Sequence, residues 1–141
     1  MIKIEGMLTP PKGKNKQWGV ELPLVGVHTQ GTSKKNAMDM AADAVVQLVN
    51  KPGFVASSEP KEEPSTFYVT SDDVAAFMSF IISRVRTEKK LTARGAASAL
   101  KSKSPNAYAR YETGKTVPRL DTLNEILTAI DPKISVVLKV G

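Results

Sequence analysis

Apolar and polar positions change rhythm along this chain, from period two at the start to helical spacing later. Ile2 and Ile4 alternate with Lys3 and Glu5, and Trp18, Val20 and Leu22 share one face of a second extended run. Pro23 ends that run, after which Val25, Val27 and Thr29 alternate again. The stretch Thr9-Pro10-Pro11-Lys12-Gly13-Lys14-Asn15 between the first two runs is rich in turn formers. This spacing predicts three antiparallel strands joined by hairpins.

Helical spacing begins at Ser33, whose hydroxyl can accept an orphan backbone N–H of a first turn. Ala37, Met40, Ala41, Ala44, Val45 and Leu48 then form a stripe that predicts a helix to about Asn50, packed on the sheet. Pro52-Gly53 stops it, and Phe54-Val55-Ala56 offers a fourth strand. Residues 57–65 are polar with two prolines and read as an exposed loop or hinge. Phe67-Tyr68-Val69 is a short extended piece that could pair with the first sheet. The expected domains are 1–65 and 66–141, with that piece as the weak point of the boundary.

The second half reads as helical. Ser71 is expected to cap a long helix with Asp72 and Asp73 near its positive end, and Val74, Phe77, Met78, Ile81 and Val85 form its buried stripe. Shorter helices are expected at 92–100, 104–112 and 120–130, with Gly114 and Pro118 punctuating the last gap. The tail, 134–140, is rich in β-branched residues and reads as a strand, which would need a partner for its edges.

Composition narrows the classes. A chain of 141 residues that is 41% hydrophobic suits one medium or two small folded domains, which excludes wholesale disorder. The absence of cysteine excludes a disulfide framework and a thiolate-bound zinc, and fits a cytoplasmic protein. The N-terminus lacks the apolar region of a signal peptide, and the most apolar run, 74–82, is far shorter than the roughly 18 residues of a membrane span. No membrane association is expected. Charge is uneven: residues 84–119 hold ten basic side chains against two acids, a local +8 within a chain of +6. Such a concentration marks either a polyanion-binding surface or a solvated basic face.

Within that segment the requirements of a helix-turn-helix are met. Such a motif sets a second helix into the major groove while the first crosses the backbone. Ala96, Ala97 and Ala99 let the first helix pack closely, and Lys101-Ser102-Lys103 forms the turn. Ser104 caps the second helix, and Pro105 takes its first position, where a missing N–H is harmless. Tyr108 and Tyr111 are expected to face inward. Asn106 and Arg110 share another face, where Asn can pair with adenine and Arg with guanine. The alternatives are capping support for Asn106 and an intramolecular ion pair for Arg110. Lys101, Lys103 and Lys115 suit phosphates, and Arg94, Ser104 and Arg119 complete the expected DNA-binding set.

Residues 91–130 resemble the helix-turn-helix of the Cro/repressor (XRE-like) family. Ser104 to Lys115 matches its "S…RYE.G" signature, and Pro118 follows where that family has proline. Ala93 stands where the family often has Gln, and Arg94 is placed to take over that backbone contact. The run Trp18 to Ser33, followed by Asn36-Ala37, resembles the HicB antitoxin pattern, without its usual Asp after Gly31. Together the two resemblances cover roughly 1–50 and 85–130. They imply an α+β chain: an N-terminal partial RNase H-like sheet with one helix, then an all-α helix-turn-helix domain with a C-terminal strand. They also imply an antitoxin that neutralises a HicA-type RNA-cleaving toxin and represses its own operon by binding double-stranded operator DNA.

An enzyme is not expected. Two-metal nucleases need clustered carboxylates. Glu5 and Glu21 alternate with apolar residues and read as solvated, as do Asp39 and Asp43 on one helix face. His28 is the single histidine, and Gly31-Thr32-Ser33 reads as a helix cap ahead of a phosphate site. No catalytic residue, metal or cofactor is therefore assigned. The alternatives kept open are a stand-alone regulator whose first domain binds a ligand or mediates oligomerisation, and a residual nuclease or RNA binder. A homodimer is expected, with a tetramer open through the first domain.

Overall fold

The computed structural model describes residues 1–101 and 104–140, and its first strand, β1 (Ile2–Thr9), runs through the middle of a five-stranded sheet. The others are β2 (Trp18–Leu22), β3 (Val27–Gly31), β4 (Ser57–Pro60) and β5 (Thr66–Ser71), in the order β3-β2-β1-β5-β4. Every neighbouring pair is antiparallel. Ile4, Leu8, Val20, Leu22, Phe67 and Val69 are buried, while Lys3, Glu5 and Met7 point the other way.

β1 is longer than its apolar rhythm suggested, because Gly6 sits where the alternation calls for an apolar residue. A Cβ there would overlap the ring of Phe67, its ladder partner. The missing side chain lets that ring lie across the strand. Val25, expected in β3, instead closes a 3-10 turn (Pro23–Val25).

The helix α1 (Lys34–Val49) starts at the expected cap: Ser33 Oγ accepts from the Asn36 N–H at 3.0 Å. Its buried face is Ala37, Met38, Ala41, Ala42 and Val45. The expected stripe is thus rotated, and Met40 and Leu48 are exposed at 39% and 49%. Gly31 explains how closely the helix sits, since a Cβ there would strike the backbone of Ala37.

Residues 57–65 are not simply a hinge, and Phe54-Val55-Ala56 is not the fourth strand. Ser57–Pro60 pairs with β5 as an edge strand, where a proline is tolerated. Phe54 is buried instead, its ring centroid 6.2 Å from that of Phe77. The expected cut between residues 65 and 66 would strip β1 of β5, to which it pairs from Ile2–Ser71 to Met7–Thr66. The chain divides into units Met1–Phe77 and Met78–Gly141, a boundary inside the helix α2 (Val74–Glu88).

Ser71 is not the cap of α2. Its hydroxyl donates to the Val55 carbonyl at 2.7 Å, and Asp73 Oδ1 accepts from the Ala76 N–H at 3.1 Å. The second unit continues with α3 (Ala93–Ala99), α4 (Pro105–Glu112) and α5 (Leu120–Ile130), close to the expected bounds. Its core includes Ile82, Val85, Leu100, Tyr108 and Ile126. The expected C-terminal strand is absent among the described residues: 134–140 carries no regular structure. β-branched residues favour a pleated ladder only when another strand supplies it. No helix among the described residues is long and apolar enough to cross a membrane.

Candidate nucleic-acid interface

Three short helices and their caps build the candidate surface. Thr92 opens α3 by accepting from the Gly95 N–H at 3.0 Å, and Ala96 and Ala97 are buried. Ala99, expected at the helix crossing, is exposed. Ser104 opens α4 by accepting from the Ala107 N–H at 3.2 Å, with Pro105 at the first position as expected. These caps satisfy N–H groups that a short helix otherwise leaves to water.

On α4 the side chains divide by face. Tyr108 is buried, and Tyr111 is only half-buried rather than fully inward. Asn106, Ala109, Arg110 and Thr113 are exposed along the opposite side, at i, i+3, i+4 and i+7. Arg110 forms no ion pair among the described residues, so its five donors face solvent. Arg94 is exposed near the start of α3, and Lys101 and Lys115 are exposed in the loops on either side of α4. Arg119 stands at the cap position of α5 and pairs with Asp121 at 3.4 Å; both are largely exposed, so the pair holds the arginine weakly. Ser104 is occupied as a cap. Lys103, with Ser102 of the expected turn, lies outside the described residues.

The residues that hold this surface in place were not legible as such in the sequence. Arg86 of α2 donates from Nε to Glu112 Oε1 at 2.8 Å and from a terminal nitrogen to the Leu91 carbonyl, also at 2.8 Å. Ser79 Oγ donates to the Glu112 carbonyl at the end of α4. α2 therefore grips both the side chain and the backbone of the last residue of α4. Burial first, and then the Glu112 carboxylate beside it, push the Tyr108 hydroxyl well above the usual tyrosine range. Among the described residues, Tyr108 Oη and Glu112 Oε2 are both buried without a hydrogen-bond partner. A charged arginine beside the buried Val85 was the one sequence signal for this clamp.

The first unit's candidate residues have structural partners. Asp39 accepts from Lys35 at 2.7 Å and from Ser58 at 2.7 Å, and these bonds hold its carboxyl below the usual aspartate range. Thr32 N–H is taken by Asn36 Oδ1 at 2.9 Å, so Gly31-Thr32-Ser33 is occupied as a cap. His28 Nδ1 lies 3.4 Å from Glu21 Oε2 on the solvent side of the sheet. No group of three or more potential metal ligands occurs among the described residues.

Comparison with known proteins places a helix-turn-helix family model on residues 82–134, less than half of the chain. It covers the end of α2, all of α3, α4 and α5, and Pro118. No curated protein matches the chain. The match supports a DNA-binding regulator acting on double-stranded DNA through the second unit.

Proposed function

We propose that this chain is a repressor-type antitoxin. Its second unit reads operator DNA with α4, and its first unit captures and neutralises a HicA-type RNA-cleaving toxin. The observation that carries the DNA half is the outward row Asn106, Ala109, Arg110 and Thr113 on a helix clamped from behind, with Arg94, Lys101 and Lys115 exposed around it. Asn and Arg can each make two hydrogen bonds to a purine edge, and the surrounding cations suit phosphates.

The toxin half rests on the resemblance of Trp18 to Ala37. Several residues of that run act inside the fold: Gly31 admits α1, and Ser33 and Asn36 cap it. They support a shared fold. No catalytic role is assigned to either unit.

A second reading is favoured by Met40 and Leu48, exposed on α1 where a core stripe was expected. In it the first unit serves a regulator only by associating with a protein surface. One experiment separates the two. The full-length chain is co-expressed with the product of the adjacent gene, and the purified material is titrated with duplex DNA from its own upstream region. A co-purifying basic protein whose RNA cleavage stops on binding supports the antitoxin reading. DNA binding without such a partner supports the plain regulator. No preference for the upstream duplex over an unrelated one would remove both.

A further inference from the structure

The loop between β1 and β2 is a stiff hairpin. Pro10 and Pro11 fix the outgoing backbone. Lys12 and Asn15 pair as an antiparallel bridge, with the Asn15 N–H donating to the Lys12 carbonyl at 3.1 Å. Gly13 takes the first central position of the two-residue turn at φ +59°, a conformation open to glycine at little cost. Asn15 Oδ1 accepts from the Gln17 N–H at 3.0 Å and steadies the return. The hairpin thus holds Lys12, Lys14 and Lys16 exposed within five residues, and residues 6–20 contain no acid. The unit around it has the opposite sign. Residues 1–77 hold eight lysines, no arginine and nine acids, so the +3 of the hairpin stands on a body of −4. Among the described residues, Lys3, Lys35, Lys51 and Lys61 each pair with a carboxylate, whereas none of the three hairpin lysines does.

We propose that this hairpin is a second nucleic-acid contact, which grips the phosphate backbone of duplex DNA without reading its sequence. Three observations select that ligand. The charges are lysines, compact point charges that suit phosphate, and the first unit lacks the planar fork that arginine offers a guanine edge. Among the described residues, no exposed large apolar side chain lies between residues 9 and 17, so the hairpin lacks the apolar centre of a protein interface. A two-stranded ribbon is also narrow enough for the major groove, between two rows of phosphates. The bridged turn assembles the lysines before any ligand arrives, which lowers the ordering cost of binding. The acidic remainder of the unit repels a polyanion and confines the contact to the hairpin. In one respect the inference rests on the DNA-binding reading: a duplex held by α4 is presented to the tethered first unit at high effective concentration, so weak contacts add to the affinity.

The test uses the full-length chain in fluorescence anisotropy, with a duplex from its own upstream region and an unrelated duplex, across a salt series. Replacing Lys12, Lys14 and Lys16 together by alanine should weaken both duplexes by the same factor, about tenfold or more at low salt. The salt slope should fall by about two to three, at roughly 0.9 per phosphate contact. The same three positions changed to arginine should keep wild-type binding, because the charge is kept. Removing Lys34, Lys35 and Lys51 instead takes away equal net charge and should change the slope little. An equal loss in that control overturns the proposal, since net charge alone would then account for it. An alanine variant with wild-type affinity and slope, still preferring the upstream duplex, overturns the hairpin contact and leaves the reading of α4 intact. A wild type without that preference, whose binding to both duplexes still depends on the three lysines, supports the hairpin contact and refutes sequence reading by α4. A loss confined to an RNA duplex of the same length overturns the assignment to DNA.

Discussion

Arg86 and Glu112 join the start and the end of the helix-turn-helix, with Nε 2.8 Å from Oε1 and a further bond from the same guanidinium to the Leu91 carbonyl. The carboxylate holds the guanidinium above even its ordinary high pKa, so Arg86 keeps its charge. Its function is to fix where α4 sits, since the two residues lie 26 positions apart on helices that share no backbone ladder.

Breaking that pair should unfold the second unit selectively. Arg86→Ala leaves Glu112 half-buried without its cation. The expected loss is somewhat below the roughly 3–5 kcal/mol of a fully buried pair, because Arg86 keeps 21% of its side chain in solvent. Urea unfolding followed by helical circular dichroism should show an early transition. Fluorescence of Trp18, the chain's one tryptophan, should report an unmoved transition of the first unit. Coincident shifts in both signals would contradict this.

Exposed residues on and beside α4 should divide by their kind of contact. Arg110→Ala should cost about 1–3 kcal/mol at the specific site and little on random DNA. Lys115→Ala should weaken all duplexes alike and flatten the salt dependence by about one ion. Fluorescence anisotropy against a specific and a random duplex, across a salt series, measures both. Equal loss on the two duplexes for Arg110→Ala would exclude it as a base reader.

Gly31→Ala should destabilise the first unit by about 1–3 kcal/mol or more, because the new methyl meets helix backbone rather than a side chain that can turn away. Gly19→Ala is the control. A Cβ there finds Thr9 Cβ at 3.4 Å, an ordinary contact, so its effect should be small or slightly stabilising. Thermal unfolding followed by Trp18 fluorescence compares the two. Equal stability would refute the close approach of α1.

A fragment ending at residue 65 should fail to fold. It keeps β1 but loses β5, and with it Phe67 and Val69 from the core. A fragment ending at residue 77 restores the sheet and the Phe54–Phe77 contact, and should melt cooperatively. A cooperative transition in the shorter fragment would show that β5 is dispensable.

Acid should weaken the chain through three aspartates. Asp39 is lowered chiefly by Lys35, Asp73 chiefly by Lys51, and Asp131 chiefly by the Lys133 N–H and then Lys89. A carboxyl lowered on folding adds stability at pH values above its unfolded pKa, near 4. That contribution disappears as the pH falls through the lower folded value. Asp39→Asn with Asp73→Asn should therefore flatten the stability curve between about pH 5 and pH 2. An unchanged acid slope would show that these bonds add nothing to stability.

What the sequence determined by itself was local. Ser33 and Ser104 announce helix starts because capping needs only a hydroxyl and the N–H groups three residues ahead. The outward row of α4 was legible because helical spacing alone separates Asn106 and Arg110 from Tyr108. Contacts between distant residues were not. Gly6 and Gly31 look like interruptions until the Phe67 ring and the first turn of α1 are laid over them. Ser57–Pro60 reads as a loop until β5 supplies its ladder, and the tail reads as a strand although no strand among the described residues pairs with it. The rotation of α1 had the same cause: Met38 and Met40 have the same side chain, and only the sheet's position decides which is buried. The Arg86–Glu112 clamp likewise depends on how α2 and α4 cross, because charge in a sequence does not reveal its partner. Periodicity and capping chemistry are written residue by residue, whereas pairing, burial and the choice between loop and edge strand arise only when distant segments meet.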